Sequence, residues 1–321
     1  MIYAQIIRLT YVLNQLRNAI GMMDTVTPLK ISLFANLFNA ILDPILIFNA
    51  KMGVTGAALA TLGAEIISCT LFLTSLFKKR MIVASKLFKL PAWETLAPLI
   101  KGGAALQLRN FAMNLTFLAV TRVTQSVDNT GVAAAAHAMA IQTFQLGGIV
   151  LLALSTVAQT VVPNAMVEKV DKETGMKSGG ISSARETTNR LMSWGLVLGI
   201  ALGALQVCIF PFLSKASPLE EVRQAARIPA MYASLYQIIN GLVFIGEGVM
   251  VGTGSFMQLS LSTLVATSFT LLGLNTLPTR FGLNGVWMSF GIFNCLRLAG
   301  VALHQLRTGP LARRKVAAPQ S

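Results

Sequence analysis

The chain has 321 residues, of which 54% are hydrophobic and 12% charged, and its mean hydropathy is +0.65. This composition excludes an ordinary soluble domain. Repeated apolar runs of about 20 residues between charged loops predict an all-α, polytopic membrane protein. The net charge of +14 does not indicate nucleic-acid binding, because Lys and Arg lie in the loops between the predicted spans.

Apolar runs define the predicted membrane spans in chain order. A partial or damaged helix at 1–21 precedes them, with Arg8 and Arg17 interrupting its apolar sequence. One later run, 131–165, exceeds a single crossing and would tilt or extend into the interface. The predicted spans are 28–49, 53–77, 102–124, 131–165, 188–213, 227–251, 256–277 and 282–305.

Two stretches near opposite ends of the chain share one layout. In each, a polar turn precedes an apolar span, and a Gly-x-x-Gly pair opens the next span. The pairs are Gly53 with Gly56 and Gly282 with Gly285, and corresponding members are 229 residues apart in both cases. Because the turn, the span and the glycine pair recur in the same order, the sequence predicts two related halves, as in many secondary transporters.

Several motifs resemble the multidrug and toxic compound extrusion (MATE) family. Near the N-terminus they are Asp-Thr-Val-Thr-Pro-Leu from Asp24, Asp43-Pro44, and Gly-Val-Thr-Gly-Ala-Ala-Leu-Ala-Thr from Gly53. The motifs similar to its DinF-like branch are Ala136-His137, Ala158-Gln159 and Ile239-Asn240-Gly-x-x-Phe244-x-x-Glu247-Gly248. The resemblance covers nearly the whole chain. It implies two six-helix lobes and export of organic compounds in exchange for protons or sodium ions. It also implies that the first three helices and part of the fourth are missing.

The resemblance and the loop charges together predict four regions. They are a partial N-terminal lobe at 1–77, a basic inter-lobe linker at 78–100, a six-helix C-terminal lobe at 101–307 and a basic tail at 308–321. The linker, the tail and the loop 166–187 carry more Lys and Arg than the loops on the other side. The positive-inside rule therefore predicts that the linker and the C-terminus face the cytoplasm, or the stroma in an organelle.

Glu247 is the predicted ion-coupling residue. It lies mid-span between Gly246 and Gly248, which would expose backbone and permit a bend suited to a cavity lining. An ionisable group inside a span costs about 2.5–3.5 kcal/mol on insertion scales. Burial favours the neutral acid, so Glu247 could take up and release a proton. The resemblance also implies an acidic residue at this position. The alternative is a structural carboxylate paired with a neighbouring helix.

Polar residues in the first span after the linker are candidates for a substrate cavity. Arg109 and Asn110 lie within this span, and Asn114 follows one turn later on the same helical face. A buried Arg needs a carboxylate or carbonyl partner. Arg109 could pair with Glu247 or hold an anionic substrate. Family members often have an acidic group on this helix, so its absence favours anionic or amphipathic organic substrates.

Other polar residues within spans are weaker candidates. His137 could relay protons or simply pack between helices. Gln142 could line a cavity or bond across helices, and Asn240 in the DinF-like motif joins the cavity candidates. Glu65 could provide a second carboxylate in the N-terminal lobe. Arg297, near the middle of the last span, could snorkel or pair with an acidic group.

The sequence lacks a Walker-type phosphate loop and any zinc-ligand spacing, so we expect no enzyme activity and no cofactor apart from H⁺ or Na⁺ as coupling ion. The resemblance implies a secondary active antiporter for organic compounds or xenobiotics. Its partners would be the lipid bilayer and small organic substrates, and it would be a monomer if a full-length chain exists. The alternatives are a lipid-linked oligosaccharide flippase of the same superfamily or a truncated, non-transporting fragment with a structural or regulatory role.

Overall fold

The computed structural model describes residues 26–78, 92–170, 177–215 and 217–312. The chain divides into two compact units between Thr95 and Leu96, a boundary inside the predicted linker. Some sequence predictions concern residues outside the described ranges. They are the helix at 1–21, the turn at Asp24-Thr25, most of the linker, part of the loop 166–187 and the basic end of the tail.

The first unit contains two described helices. α1 (Val26–Pro44) continues into a π-helical turn (Ile45–Asn49), and α2 (Gly53–Lys78) follows. These bounds agree closely with the predicted spans 28–49 and 53–77. α2 buries one residue at every fourth position, namely Gly56, Ala60, Ala64, Ser68, Phe72 and Leu76. Small residues in this series let the two helices approach closely.

The second unit contains five long helices within the described residues, and α6 packs against α4, α5 and α7. A pair of two-residue antiparallel strands, Lys169–Val170 and Lys177–Ser178, lies between α4 and α5. The helices are α3 (Trp93–Gln125), α4 (Val132–Met166), α5 (Ile181–Ser214), α6 (Glu220–Gly252) and α7 (Phe256–Leu303), with a final π-helical turn (His304–Thr308).

Six helical segments in the described ranges are long and apolar enough to cross a membrane. They are α1 with its π-helical turn, α2, α4, α5, α6, and α7 with its π-helical turn. α3 is long enough, but polar residues such as Gln107, Arg109 and Asn110 make it less apolar than the others. α7 is 48 residues long, and together with its final π-helical turn it covers both predicted spans, 256–277 and 282–305, which meet at a break in the helix at Gly282.

The two Gly-x-x-Gly turns have the same local geometry. Gly53 and Gly282 each have φ of +55°, a conformation that other residues rarely adopt. At Gly56 and Gly285, a Cβ atom would overlap the backbone of the helix before the turn. Each unit therefore contains a helix that turns on one glycine and packs closely through the next, which supports the predicted internal repeat.

Aromatic side chains fill the core of the second unit. Phe144, Tyr236, Trp287, Phe290 and Phe293 form a cluster with ring centroids 5.2–6.5 Å apart. The Tyr236 hydroxyl donates to the Trp287 carbonyl oxygen at 2.8 Å. This contact fixes α6 against the second half of α7 (283–303).

A row of glycines brings α5 and α6 close together. Gly195, Gly199 and Gly203 are buried at every fourth position of α5. A Cβ atom at Gly199 would lie 2.6 Å from the Gln237 carbonyl oxygen, and one at Gly203 would lie 2.6 Å from the Ser234 carbonyl oxygen. The spacing between these two helices therefore depends on the absence of side chains along this row.

Asp128 caps the N-terminal end of α4. Its carboxylate accepts hydrogen bonds from the backbone N–H groups of Gly131 and Ala133, each at 2.8 Å, and from the Thr130 hydroxyl at 3.1 Å. These bonds, and above all the one from Ala133, hold the pKa of Asp128 below its usual value because they favour the charged form.

We expect Asp128→Ala to lower the thermal unfolding midpoint of the purified protein by about 2–4 °C at neutral pH. Because the folded-state pKa is lowered, the stabilisation is complete above the ordinary aspartate pKa of about 3.9 and is lost as the pH falls through the folded value. Thermal unfolding of both proteins can be measured in detergent from neutral pH to below pH 3. The unfolding midpoints of the wild type and Asp128→Ala should become equal at the acid end of this range. A difference between the two midpoints that stays constant with pH would contradict the capping role of Asp128.

Candidate functional site

Glu247 lies at the centre of a buried ion-pair cluster in the second unit. Its Oε1 accepts a hydrogen bond from Arg297 Nε at 2.8 Å, and its Oε2 pairs with Arg109 Nη2. The side chains of Glu247 and Arg297 are 7% and 4% exposed, whereas that of Arg109 is 18% exposed. Three helices, α3, α6 and α7, thus contribute one charged residue each, and Arg109 is the member most accessible from outside.

The glycines beside Glu247 allow α6 to lie close to its neighbours. Gly246 faces Val301 on α7, and a Cβ atom at Gly248 would lie 2.7 Å from Ser155 Oγ on α4. Ser155 Oγ also donates to the Phe244 carbonyl oxygen at 2.7 Å. α6 is continuous from Glu220 to Gly252. Gly246 and Gly248 therefore serve close helix packing, and α6 has no break at either glycine.

The cluster carries an excess of positive charge. Two guanidinium groups and one carboxylate give a formal charge of +1. The Arg297 guanidinium lies 5.7 Å from the Phe244 ring centroid and 5.2 Å from that of Phe293, so aromatic faces surround it on that side. Among the described residues, Arg109 Nε and Arg297 Nη2 have no hydrogen-bond partner. Free N–H donors beside an uncompensated positive charge favour an anion or another acceptor.

Some of the predicted cavity residues lie near this cluster. Asn110 is half-buried and its Oδ1 accepts from Arg109 Nη1 at 3.4 Å, a long hydrogen bond. Asn114 is exposed, so it does not share the environment of Asn110. Asn240 is buried two turns before Glu247 on α6. Within the described part of the chain, neither atom of its side-chain amide has a partner.

His137 and Gln142 are not brought to the cluster. Ser155 on α4 lies beside Gly248 and so marks the level of the cluster on that helix. His137 lies 18 residues before Ser155, or about 27 Å along the helix, and Gln142 lies 13 residues before it, or about 20 Å. His137 is buried against Trp287, with ring centroids 5.6 Å apart. Gln142 is exposed and lines an apolar groove of about 370 Å³ between α4, the end of α5 and the start of α6.

The first unit has its own polar residues. Glu65 is half-buried on α2, one turn before Cys69. In the amide orientation that satisfies its neighbours, Asn39 donates to Asp43 Oδ2 at 2.8 Å and accepts from the Thr61 backbone N–H at 3.1 Å. This network connects α1 to α2, so Asp43 acts as a brace between the helices of this unit.

Arg297 belongs to this cluster, although the sequence predicts only snorkelling or an ion pair with an acidic group for it and does not place it among the site residues. A usable signal was present, because Glu247 is the only acidic residue within the six predicted spans after the linker. A mid-span Arg in this lobe therefore had one carboxylate available. Among the described residues, no group of three or more His, Cys, Asp or Glu could hold a metal ion.

Relatives of this chain are found by sequence, although no family model matches it. Protein DETOXIFICATION 44, chloroplastic, of Arabidopsis thaliana is 28% identical over 90% of this chain and 53% of its own length. Multidrug export protein MepA of Staphylococcus aureus is 24% identical over 91% of this chain and 62% of its own length. The chain thus spans only about half to three-fifths of the length of these relatives.

Solved structures share the fold. A MATE crystal structure in the bent conformation matches 88% of this chain and 61% of its own, with a TM-score of 0.71 and 18% identity. A MOP superfamily transporter from Pyrococcus furiosus matches 86% of this chain and 61% of its own, with a TM-score of 0.71 and 18% identity. The predicted all-α, polytopic fold with MATE-like helices is confirmed. By sequence the chain is therefore similar to DETOXIFICATION and multidrug export proteins, and its fold is that of the solved MATE structures, of which it spans about three-fifths.

Proposed function

We propose that this chain acts as a secondary active transporter that exports organic compounds across a membrane in exchange for H⁺ or Na⁺. A relative described as a multidrug export protein supports the efflux role. The relatives are transporters rather than enzymes at the family level, which agrees with the lack of catalytic motifs in the sequence.

The observation that carries this proposal is the ion-pair cluster around Glu247. Its carboxylate holds Arg109 and Arg297 together across three helices. Protonation of Glu247 would change the formal charge of the cluster from +1 to +2 and weaken both ion pairs. A local change in charge of this kind can bias a protein between two conformations, here the inward-facing and outward-facing states.

The charge of the cluster also supports a substrate class. The predicted span 102–124 has no acidic residue, whereas the resemblance implies one on this helix, and Arg109 is the most accessible member of the cluster. This favours anionic or amphipathic organic substrates. A structural neighbour from Pyrococcus furiosus is described as having a binding pocket of reverse polarity, which supports variation of pocket charge within the fold.

The predicted topology belongs to the same proposal. The linker and the C-terminus would face the cytoplasm, or the stroma if the membrane is organellar. A relative described as chloroplastic supports the second setting. We expect no resident cofactor apart from the coupling ion.

We expect Glu247→Gln to abolish most gradient-driven transport, because an ion can drive a conformational change only through a difference in its affinity for the two states. The substitution keeps the side-chain shape and removes the carboxylate charge to which the coupling ion would bind. The measurement uses the purified chain in liposomes with an imposed H⁺ or Na⁺ gradient and a panel of dyes and organic anions.

Glu186→Gln provides the matched control, because Glu186 forms an exposed ion pair with Arg190 on α5. This variant should transport like the wild type. If Glu247→Gln also transports at the wild-type rate under the same gradient, Glu247 does not couple the ion. Absence of transport by the wild-type chain would contradict the proposed function itself.

A further inference from the structure

We infer that the end of the described chain is a latch for one end of the second unit. The segment 304–312, here called the C-terminal strap, leaves α7 and holds together the last turns of α4 and α6 and the first turns of α5. The predicted topology places these helix ends on the side of the linker, so they are called the linker-side ends. The inference adds a conformational role to the proposed function and does not depend on transport.

Hydrogen bonds fix the start of the strap to the first turn of α7. His304 Nδ1 lies 2.8 Å from Gln258 Oε1, and Gln258 Nε2 donates to the Thr308 hydroxyl oxygen. The Gly309 N–H group donates to the His304 carbonyl oxygen at 2.8 Å. A Cβ atom at Gly309 would lie 2.6 Å from His304 Nε2, so the chain folds back closely over the buried imidazole. The strap therefore begins at a fixed position.

The far end of the strap inserts into the helix bundle. Leu311 is 3% exposed, and Ala312 is fully buried. Leu311 belongs to an apolar cluster to which α4, α5 and α6 all contribute. The helix residues of this cluster are Ala158, Val162, Ala184, Ile245 and Val249. The two alanines leave room between α4 and α5, and the leucine side chain packs into it.

The sequence restricts the strap to one register. Pro310 cannot continue a helix. Leu311 and Ala312 are the only apolar residues between this proline and the basic run Arg313-Arg314-Lys315. A shift by two residues would bring an arginine to the apolar cluster in place of Leu311, and burial of a charge without a partner is costly. Leu311 is therefore the one large apolar anchor that this segment has.

Two separate contacts join α7 to α4. Toward the end of the helices away from the linker, the rings of Phe144 and Phe290 pack with centroids 5.2 Å apart. At the linker-side end, Leu311 meets Ala158 and Val162. Release of Leu311 would leave the aromatic contact in place and free only the linker-side ends. A segment held by one large side chain can open locally, without global unfolding.

Opening of the strap would also affect α6. Ile245 and Val249 lie two residues before and two residues after Glu247, which places them on the other face of the helix. Leu311 covers that face. With Leu311 released, water would reach this face, and α6 would be held less firmly at the level of the ion-pair cluster.

The test is hydrogen exchange, measured by mass spectrometry, on the purified full chain in detergent. Leu311→Ala removes most of the anchor. Burial of a leucine side chain corresponds to a factor of about 10–150 in an equilibrium constant. We therefore expect backbone N–H groups in the linker-side ends of α4 and α6, in peptides covering 158–166 and 245–252, to exchange about tenfold faster. Peptides around Phe144 and Tyr236, toward the other ends of these helices, should exchange at the wild-type rate.

Leu306→Ala is the matched control, because Leu306 lies in the same segment but is 52% exposed. This variant should exchange like the wild type. Leu311→Val removes one methylene group and should raise exchange at the linker-side ends by about fourfold, which keeps the test valid if Leu311→Ala misfolds.

Three results would overturn the inference. They are an equal rise at both ends of the helices, which would make Leu311 part of the general core, no change in either Leu311 variant, and an equal effect of Leu306→Ala. Because the experiment measures no transport, each of these results leaves the proposed function standing, and failure of transport leaves the strap standing.

Discussion

Replacement of Glu247 by leucine is expected to be the most destabilising single substitution in the ion-pair cluster. It leaves Arg109 and Arg297 in a buried site without a counter-charge, and removal of one partner from a buried pair costs about 3–5 kcal/mol. Arg297→Leu should cost less, because it leaves a neutral pair between Arg109 and Glu247. Equilibrium unfolding of the purified variants in detergent would rank the two free energies of unfolding.

The control for this ranking is a variant that removes all three charges, Arg109→Met/Glu247→Leu/Arg297→Met. Apolar side chains of similar volume often replace a buried ion-pair network without loss of stability. We therefore expect this variant to recover most of the stability lost in Glu247→Leu. An unfolding free energy as low as that of Glu247→Leu, or a larger loss in Arg297→Leu, would show that charge balance is not the controlling factor.

This expectation bears on why the cluster exists. If an apolar replacement is about as stable as the wild type, the charges are not needed for folding. The sequence nevertheless has one carboxylate and two guanidinium groups deep within three helices. Their presence is then better explained by the proposed ion coupling than by stability, and the transport measurement addresses that role directly.

The helices could be predicted well from the sequence because bilayer thickness fixes their length and composition. The bounds of α2 (Gly53–Lys78) match the predicted span almost residue by residue. The way in which consecutive spans join depends on local backbone geometry, which the sequence does not determine. The spans 256–277 and 282–305 form one element broken at Gly282, and only the backbone conformation of that glycine determines how abruptly the chain turns.

The site was predicted in part for a simple physical reason. A charge inside a span needs a partner, and this requirement pointed from Arg109 to Glu247. Helix rotation decides which neighbour a side chain meets and cannot be read from one sequence. The sequence therefore shows that Glu247 is the one carboxylate available to Arg297 in these spans, but not that the two side chains face each other. Gly246 and Gly248 suit a bend as well as close packing. Gln142 has the composition of a cavity residue but lies about 20 Å along α4 from the level of the cluster.

We expect Gly199→Ala to destabilise the second unit by about 1–3 kcal/mol, the usual cost of overpacking. The new Cβ atom would lie 2.6 Å from the Gln237 carbonyl oxygen and 3.2 Å from the Cα atom of Gly241. These are backbone atoms, so no side chain can rotate to make room. α6 cannot simply move away from α5, because the Gln237 side-chain amide donates to the Phe144 carbonyl oxygen at 2.6 Å and holds α6 to α4.

Gly103→Ala is the matched control, since a Cβ atom there would meet nothing within 4 Å. This exposed position in α3 should tolerate alanine or gain up to about 1 kcal/mol from its higher helix propensity. Thermal unfolding can be followed by tryptophan fluorescence. The unfolding midpoint should fall for Gly199→Ala, and for Gly103→Ala it should stay the same or rise. Equal losses in both variants would mean that glycine acts here through helix flexibility. A loss confined to Gly199 would mean that the distance between α5 and α6 limits stability, and with it the position from which Glu247 meets its two arginines.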